Sequence, residues 1–175
     1  MIVVAETGTG LEEANSYIDS SYLDGYFFAE RKTKWEKLSQ DVQDSLLVSA
    51  TQFIDLSYKW IGSRKSHEQG LNWPRVGACY PETEQLIEGV PKAVLKATAE
   101  AVVLMLSGWE NLFSVMQAQV KKEKMAVFET EYFENKTMPE GETVYTILNL
   151  ILAGLYQSDE PRKTSGIQTT EVIRT

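Results

Sequence analysis

The one histidine and the one cysteine, His67 and Cys79, are the side chains best suited to nucleophilic chemistry, and both fall between Gly62 and Gly89. A Cys–His pair works when the imidazole takes the thiol proton, and a triad adds a third group that orients the base. No such third group can be assigned from the sequence, and an exposed loop histidine beside a half-buried loop cysteine explains both residues more simply. A zinc site would draw only two ligands from this pair, where structural zinc takes four. Thr7-Gly-Thr-Gly-Leu11 is a glycine-rich turn, but without a strand before it and a helix after it the case for a phosphate cradle is weak. The carboxylate pairs Glu12–Glu13 and Glu129–Glu131 read as solvated, since glycoside chemistry needs a cleft around two such groups. No set of residues converges on a reaction. The sequence therefore predicts no catalytic residue, no metal and no cofactor, and favours a structural or binding protein over an enzyme. A small hydrolase built on Cys79 is the outlying alternative.

Charge points the same way. The formal net charge is −8 over 175 residues. A general nucleic-acid binder needs clustered Lys and Arg to meet phosphates. Basic residues gather only locally: Arg31, Lys32, Lys34 and Lys37, then Lys59, Arg64, Lys65 and Arg75, then Lys121, Lys122 and Lys124. Each group has acidic neighbours and reads as a solvated face or a protein contact. A single cysteine fits a reducing compartment. The start, Met1-Ile-Val-Val-Ala-Glu6, lacks the basic and long apolar regions of a signal peptide. No apolar run approaches the ~20 residues that cross a bilayer, so no membrane partner is expected.

The elements that would position these residues are mostly helical. Asp19 precedes Tyr22, Leu23, Tyr26 and Phe27, which predicts a capped helix over about 20–30, weakened slightly by Gly25. Ser39 can cap a second helix over 40–57. Its apolar face is Val42, Leu46, Leu47, Ala50, Phe53 and Ile54, with Asp41, Asp44, Gln52 and Asp55 mostly elsewhere. The stretch 62–89 has no sustained period, and long irregular stretches in compact domains are often functional. Its order must come from anchors, with Leu71, Trp73, Pro74 and Leu86 as candidates. Pro91 opens a third helix, to Ser107, whose single polar stripe is Lys92, Lys96 and Glu100. Such a helix belongs at the centre of a core. Val127, Phe128, Thr130, Tyr132 and Phe133 favour one or two short strands within 121–133. A last helix over 142–156 is apolar nearly all round, so it needs covering by its own domain or by another subunit. Leu148, Ile151, Leu152 and Tyr156 are its predicted subunit-interface residues.

After Ser158 the pattern changes. Pro161 and Gly166 prevent a helix, while Thr169, Thr170, Val172 and Ile173 favour strand. The predicted class is mainly α: a small helical domain, 1–158, with one or two short strands, and a flexible or extended C-terminal tail, 159–175. Pro161, Ile167, Val172 and Ile173 are the tail residues expected to engage a partner by strand addition.

Four pieces of sequence, taken in order, carry a resemblance: Ala14-Asn-Ser-Tyr-Ile18, Trp60-Ile-Gly-Ser-Arg64, Gln69-Gly-Leu-Asn-Trp-Pro-Arg75 and Val90-Pro91 opening an alanine-rich helix. The combination resembles the phage head–tail connector, or adaptor, proteins often labelled "DnaT-like". It covers about residues 14–108, with weaker agreement over 120–155. The resemblance implies a virion protein, assembled in the host cytoplasm, that forms a homo-oligomeric, commonly dodecameric ring. Its partners would be the portal protein and a tail or stopper protein, and genome DNA would pass through its channel without sequence-specific binding. On that reading Tyr17, Trp60, Trp73, Pro74 and Arg75 are structural anchors, and residues 159–175 dock on the portal. The alternative is a single-stranded DNA-binding or replication accessory protein. Tyr58, Lys59, Trp60, Arg64 and Trp73 would then supply a basic stacking platform. The net charge opposes this alternative, and Trp60 and Trp73 are more simply core anchors.

Overall fold

The computed structural model describes residues 2–27, 29–107 and 140–157. It is mainly helical, with one two-stranded sheet.

Helix α1 is Ser20–Tyr26. Asp19 caps it: its backbone is extended and its carboxylate accepts the Tyr22 N–H at 3.0 Å and the Ser21 hydroxyl at 2.6 Å. The chain leaves the helix at Phe27, where ψ is 133°. The helix expected over 20–30 is therefore two, and α2 follows as Ala29–Glu36. After the break Phe27 and buried Trp35 meet edge to face, with ring centroids 5.7 Å apart. Nothing in the apolar period signals α2, because Trp35 stands among charged residues.

Helix α3 spans Gln40–Ser57, the range that the periodicity predicts. Ser39 holds the N-cap position, but its hydroxyl makes no capping bond. The buried face includes Leu47, Ala50, Phe53 and Ile54; Asp44 is also buried, whereas Val42 is exposed. Helix α4, Lys92–Leu106, starts directly after Pro91 and packs mainly on α3. Its buried face is rich in small and branched residues, among them Ala97, Ala99, Ala101, Val102 and Val103. Lys92 and Lys96 stay in water, and Glu100 accepts the Tyr26 hydroxyl at 2.5 Å.

Helix α5, Glu140–Ile151, packs on α4. It ends five residues before the expected boundary. Gly154 follows with φ +82°, and a β-carbon there would stand 2.5 Å from Pro81 Cγ, so backbone conformation and space both call for glycine. Leu148 and Leu152 are each 0% exposed inside the single chain. That corrects their assignment to a subunit interface, because their surface is already spent on the chain's own core. Ile151 and Tyr156 are partly buried against the same core. Among its described residues, the large apolar side chains that α5 turns outward are Ile147 and Leu150, at 40% and 72% exposure. The strands expected within 121–133 and the tail residues Pro161, Ile167, Val172 and Ile173 lie outside the described residues.

The irregular stretch between α3 and α4 holds the sheet. Strands β1, Ser63–Arg64, and β2, Arg75–Val76, pair antiparallel, with Ser63 opposite Val76 and Arg64 opposite Arg75. Gly62 leads in with φ +68°, and a β-carbon there would lie 2.6 Å from the Val76 carbonyl oxygen. Isolated bridges tie Trp60 to Tyr156 and Cys79 to Leu86. The expected anchor Leu86 is exposed, and Ile87 is buried beside it.

Candidate nucleic-acid interface

The loop that carries Arg64, Lys65 and Arg75 is held from beneath by buried polar groups. Gln69 is among the largest fully buried side chains. Its amide nitrogen donates to the carbonyls of Leu71 at 2.7 Å and Pro74 at 3.1 Å, and its amide oxygen accepts the Ser66 N–H at 2.8 Å. A buried amide with donors and acceptor used fixes its surroundings, because each broken bond would leave a desolvated polar group. The Gln69 carbonyl accepts from Arg64 Nη2.

A second network joins this loop to the N-terminal segment and α3. The Tyr17 hydroxyl donates to Asp55 and accepts the Trp73 N–H at 3.1 Å. Asp55 also accepts the Asn72 N–H at 2.9 Å. Burial is the main cause of a Tyr17 pKa well above the usual phenol value, and the Asp55 charge adds to it. Burial also raises the Asp55 pKa, against the hydrogen bonds from Tyr17 and Asn72, which favour the carboxylate.

Trp73 is 0% exposed and its ring meets Trp60 edge-on, with centroids 5.9 Å apart. Pro74 is buried behind it on a cis peptide bond. Emptying a site of this size costs about 3–5 kcal/mol. Arg75 reaches back across the hairpin: Nε donates to the Ile61 carbonyl at 2.6 Å, Nη2 to Gly62 at 2.7 Å and Nη1 to Asn72 at 3.2 Å. Tyr17, Trp60, Trp73, Pro74 and Arg75 thus meet in and around one loop. Asp55, Gln69 and Asn72 complete it; Gln69 and Asn72 stand in one of the four sequence pieces, but nothing in the sequence marks the three as hydrogen-bonded supports, since a polar residue's burial shows only once its partners are in place.

The other candidates are not brought together. His67 is exposed and Cys79 is partly buried in its bridge with Leu86; no hydrogen bond joins them. No group of His, Cys, Asp or Glu suited to a metal occurs among the described residues. The glycine-rich turn is already filled. The Glu6 carboxylate accepts the N–H groups of Gly8, Gly10 and Leu11 at 2.8, 2.9 and 2.9 Å. A nest of amides that cradles its own carboxylate has no room for phosphate.

The basic groups differ in how many carboxylates meet them. On and beside α2, Lys32 lies 3.7 Å from Asp24 and 4.0 Å from Glu36, and Lys34 lies 3.7 Å from Glu30. Lys121, Lys122 and Lys124 lie outside the described residues. Between Lys59 and Val76 there are four basic side chains against one acidic, Glu68. Lys59, Arg64 and Lys65 are exposed, and among the described residues none of the four has a carboxylate within ion-pair distance. Tyr58, Trp60 and Trp73 are buried, so the stacking platform proposed from sequence does not exist on these rings. The partly exposed aromatic beside Lys59 is Tyr156. It packs 4.9 Å from Tyr58, and the next residue, Gln157, donates its N–H to the Lys59 carbonyl at 2.7 Å. No described helix is long and apolar enough to cross a membrane.

Curated proteins and solved structures give no match to this chain. A family model matches residues 1–175, and it is not a model of head–tail connectors. It overturns the connector reading, and with it the dodecameric ring, the portal and tail or stopper partners and the portal-docking role of the tail. The physical reason lies in what the four sequence pieces do: Tyr17, Trp60, Gln69, Trp73 and Arg75 build the loop and its support. Such motifs report a fold, and a fold does not carry one function. Matched along its whole length, the chain belongs to the family described as "Putative DnaT-like ssDNA binding protein".

Proposed function

We propose that this protein binds single-stranded DNA through the Lys59–Val76 segment, without catalysis. The observation that carries the reading is the excess of basic side chains on this segment with no carboxylate within ion-pair distance among the described residues, in a family described by single-stranded DNA binding and a chain of net charge −8. Phosphate contacts by Lys and Arg release counterions and supply sequence-independent affinity. The hairpin holds its cations on a scaffold of buried hydrogen bonds, so little backbone freedom is lost on binding. Tyr156, partly exposed beside Lys59, is the ring on which an unpaired base can stack, and stacking is open to a single strand but not to the closed stack of a duplex. The acidic remainder of the chain repels phosphates and confines the strand to this face.

Fluorescence anisotropy with labelled oligothymidylate tests the reading. Binding is expected at low salt, weakening as salt rises, and exceeding binding to a duplex of equal length. No binding at low salt, or a preference for duplex, would refute it.

A further inference from the structure

Arg64 and Arg75 stand directly opposite each other in the β1–β2 register. Directly opposite residues on an antiparallel pair have Cβ atoms only about 4.5–5.5 Å apart, and like charges there are destabilising. A two-residue sheet has little pairing energy with which to offset that repulsion. Neither arginine has a carboxylate within ion-pair distance among the described residues. Asp55 is near enough to attract both charges, but its oxygens accept from the Tyr17 hydroxyl and the Asn72 N–H. Burial lowers the Arg75 pKa, and the Arg64 charge pushes it the same way, while Tyr17 and Asp55 oppose the shift.

The donors of the pair are only partly used. A guanidinium has five N–H donors in a fixed fork. Arg75 directs one each from Nε, Nη1 and Nη2 to the carbonyls of Ile61, Asn72 and Gly62, which fixes its plane and leaves two. Arg64 directs one to the Gln69 carbonyl and leaves four. Arg75 is thus clamped in place and Arg64 is the exposed, adjustable partner.

Resting on the single-stranded DNA reading, we infer that the Arg64–Arg75 cross-strand pair is a clamp for one phosphodiester group of the bound strand. An anion between the two guanidinium groups turns their repulsion into two charge-assisted contacts. Lys65 follows Arg64 directly, with its N–H held 3.3 Å from the Pro74 carbonyl, and serves a neighbouring phosphate. Gln69 and Arg75 itself keep the clamp in register.

The test uses the full chain and labelled oligothymidylate across a salt series, with Arg64→Gln and Arg64→Lys. Arg64→Gln should weaken binding roughly tenfold, as expected for one charged hydrogen-bonded contact. It should also reduce the slope of log affinity against log salt by about 0.7, the value for one phosphate on a single strand. Arg64→Lys should keep the slope and lose part of the affinity, because it keeps the charge but not the fork. Inorganic phosphate at constant ionic strength should leave wild-type binding in place. If wild type binds the oligonucleotide and Arg64→Gln binds with the same affinity and slope, the clamp is wrong and the strand lies elsewhere. Displacement of the strand by inorganic phosphate would also overturn the clamp, by making it a free-phosphate site. If wild type does not bind the oligonucleotide at all, the functional reading fails and the clamp fails with it.

Discussion

The Tyr17 hydroxyl bonds to the Asp55 carboxylate while it accepts the backbone N–H of Trp73. One side-chain oxygen therefore joins the N-terminal segment, α3 and the loop that displays the basic hairpin. Tyr17→Phe removes both bonds and leaves the Trp73 N–H buried without its partner. A loss of about 1–3 kcal/mol is expected in urea unfolding, the cost of an unsatisfied buried group. An unchanged midpoint would show that the network carries no stability.

The same pair has a pH signature. Burial raises the Asp55 pKa above its ordinary value of 3.8. The folded state then holds the proton more tightly than the unfolded state, so the Asp55 contribution is fully present below 3.8 and falls as pH rises through the folded pKa. The stability difference between wild type and Asp55→Asn should decline over that interval; a difference that grows with pH would contradict the shift.

Asp19 behaves in the opposite sense. The Ser21 hydroxyl bond is the largest cause of its lowered pKa, and the N–H groups at the start of α1 add to it. Its contribution is present above 3.8 and is lost as pH falls through the lower folded value. Asp19→Ala should cost about 0.5–2 kcal/mol at neutral pH, the range for an N-cap. The cost should shrink toward zero in acid. A pH-independent cost would mean that the capping charge is not involved.

Leu148 and Leu150 separate core from surface on α5. Leu148→Asp places a charge at a position with 0% exposure and should unfold the chain or destabilise it severely. Leu150→Asp, at 72% exposure, should change stability within about ±0.5 kcal/mol. Thermal unfolding of the two variants decides this, and equal losses would show that Leu150 is covered.

Helices α3 and α4 were legible because their apolar residues recur at helical spacing and their starts carry ordinary signals, Ser39 and Pro91. Helix α2 was not, since Trp35 alone sets no period. The end of α5 was missed because Leu152 and Leu155 continue the apolar pattern, while Gly154, facing Pro81, stops the helix by a tertiary contact. The anchoring of the loop could be read from its large aromatics. Its polar half could not: Gln69, Asn72 and Asp55 look like surface residues until their partners are known. The basic hairpin was visible as Lys59, Arg64, Lys65 and Arg75, yet net charge counted over the whole chain hid a local excess. The connector reading failed for a related reason, because the residues behind it are those that shape the loop.

Single-stranded DNA that lies on the Lys59–Val76 hairpin must perturb the residues it touches. Backbone amide chemical shifts of the labelled full chain, followed during titration with unlabelled oligothymidylate at low salt, locate that contact residue by residue. The largest changes are expected on Lys59, Arg64, Lys65, Arg75 and Tyr156, with α2 staying near its free positions. Changes centred on Arg31–Lys37, or none at all, would contradict that placement.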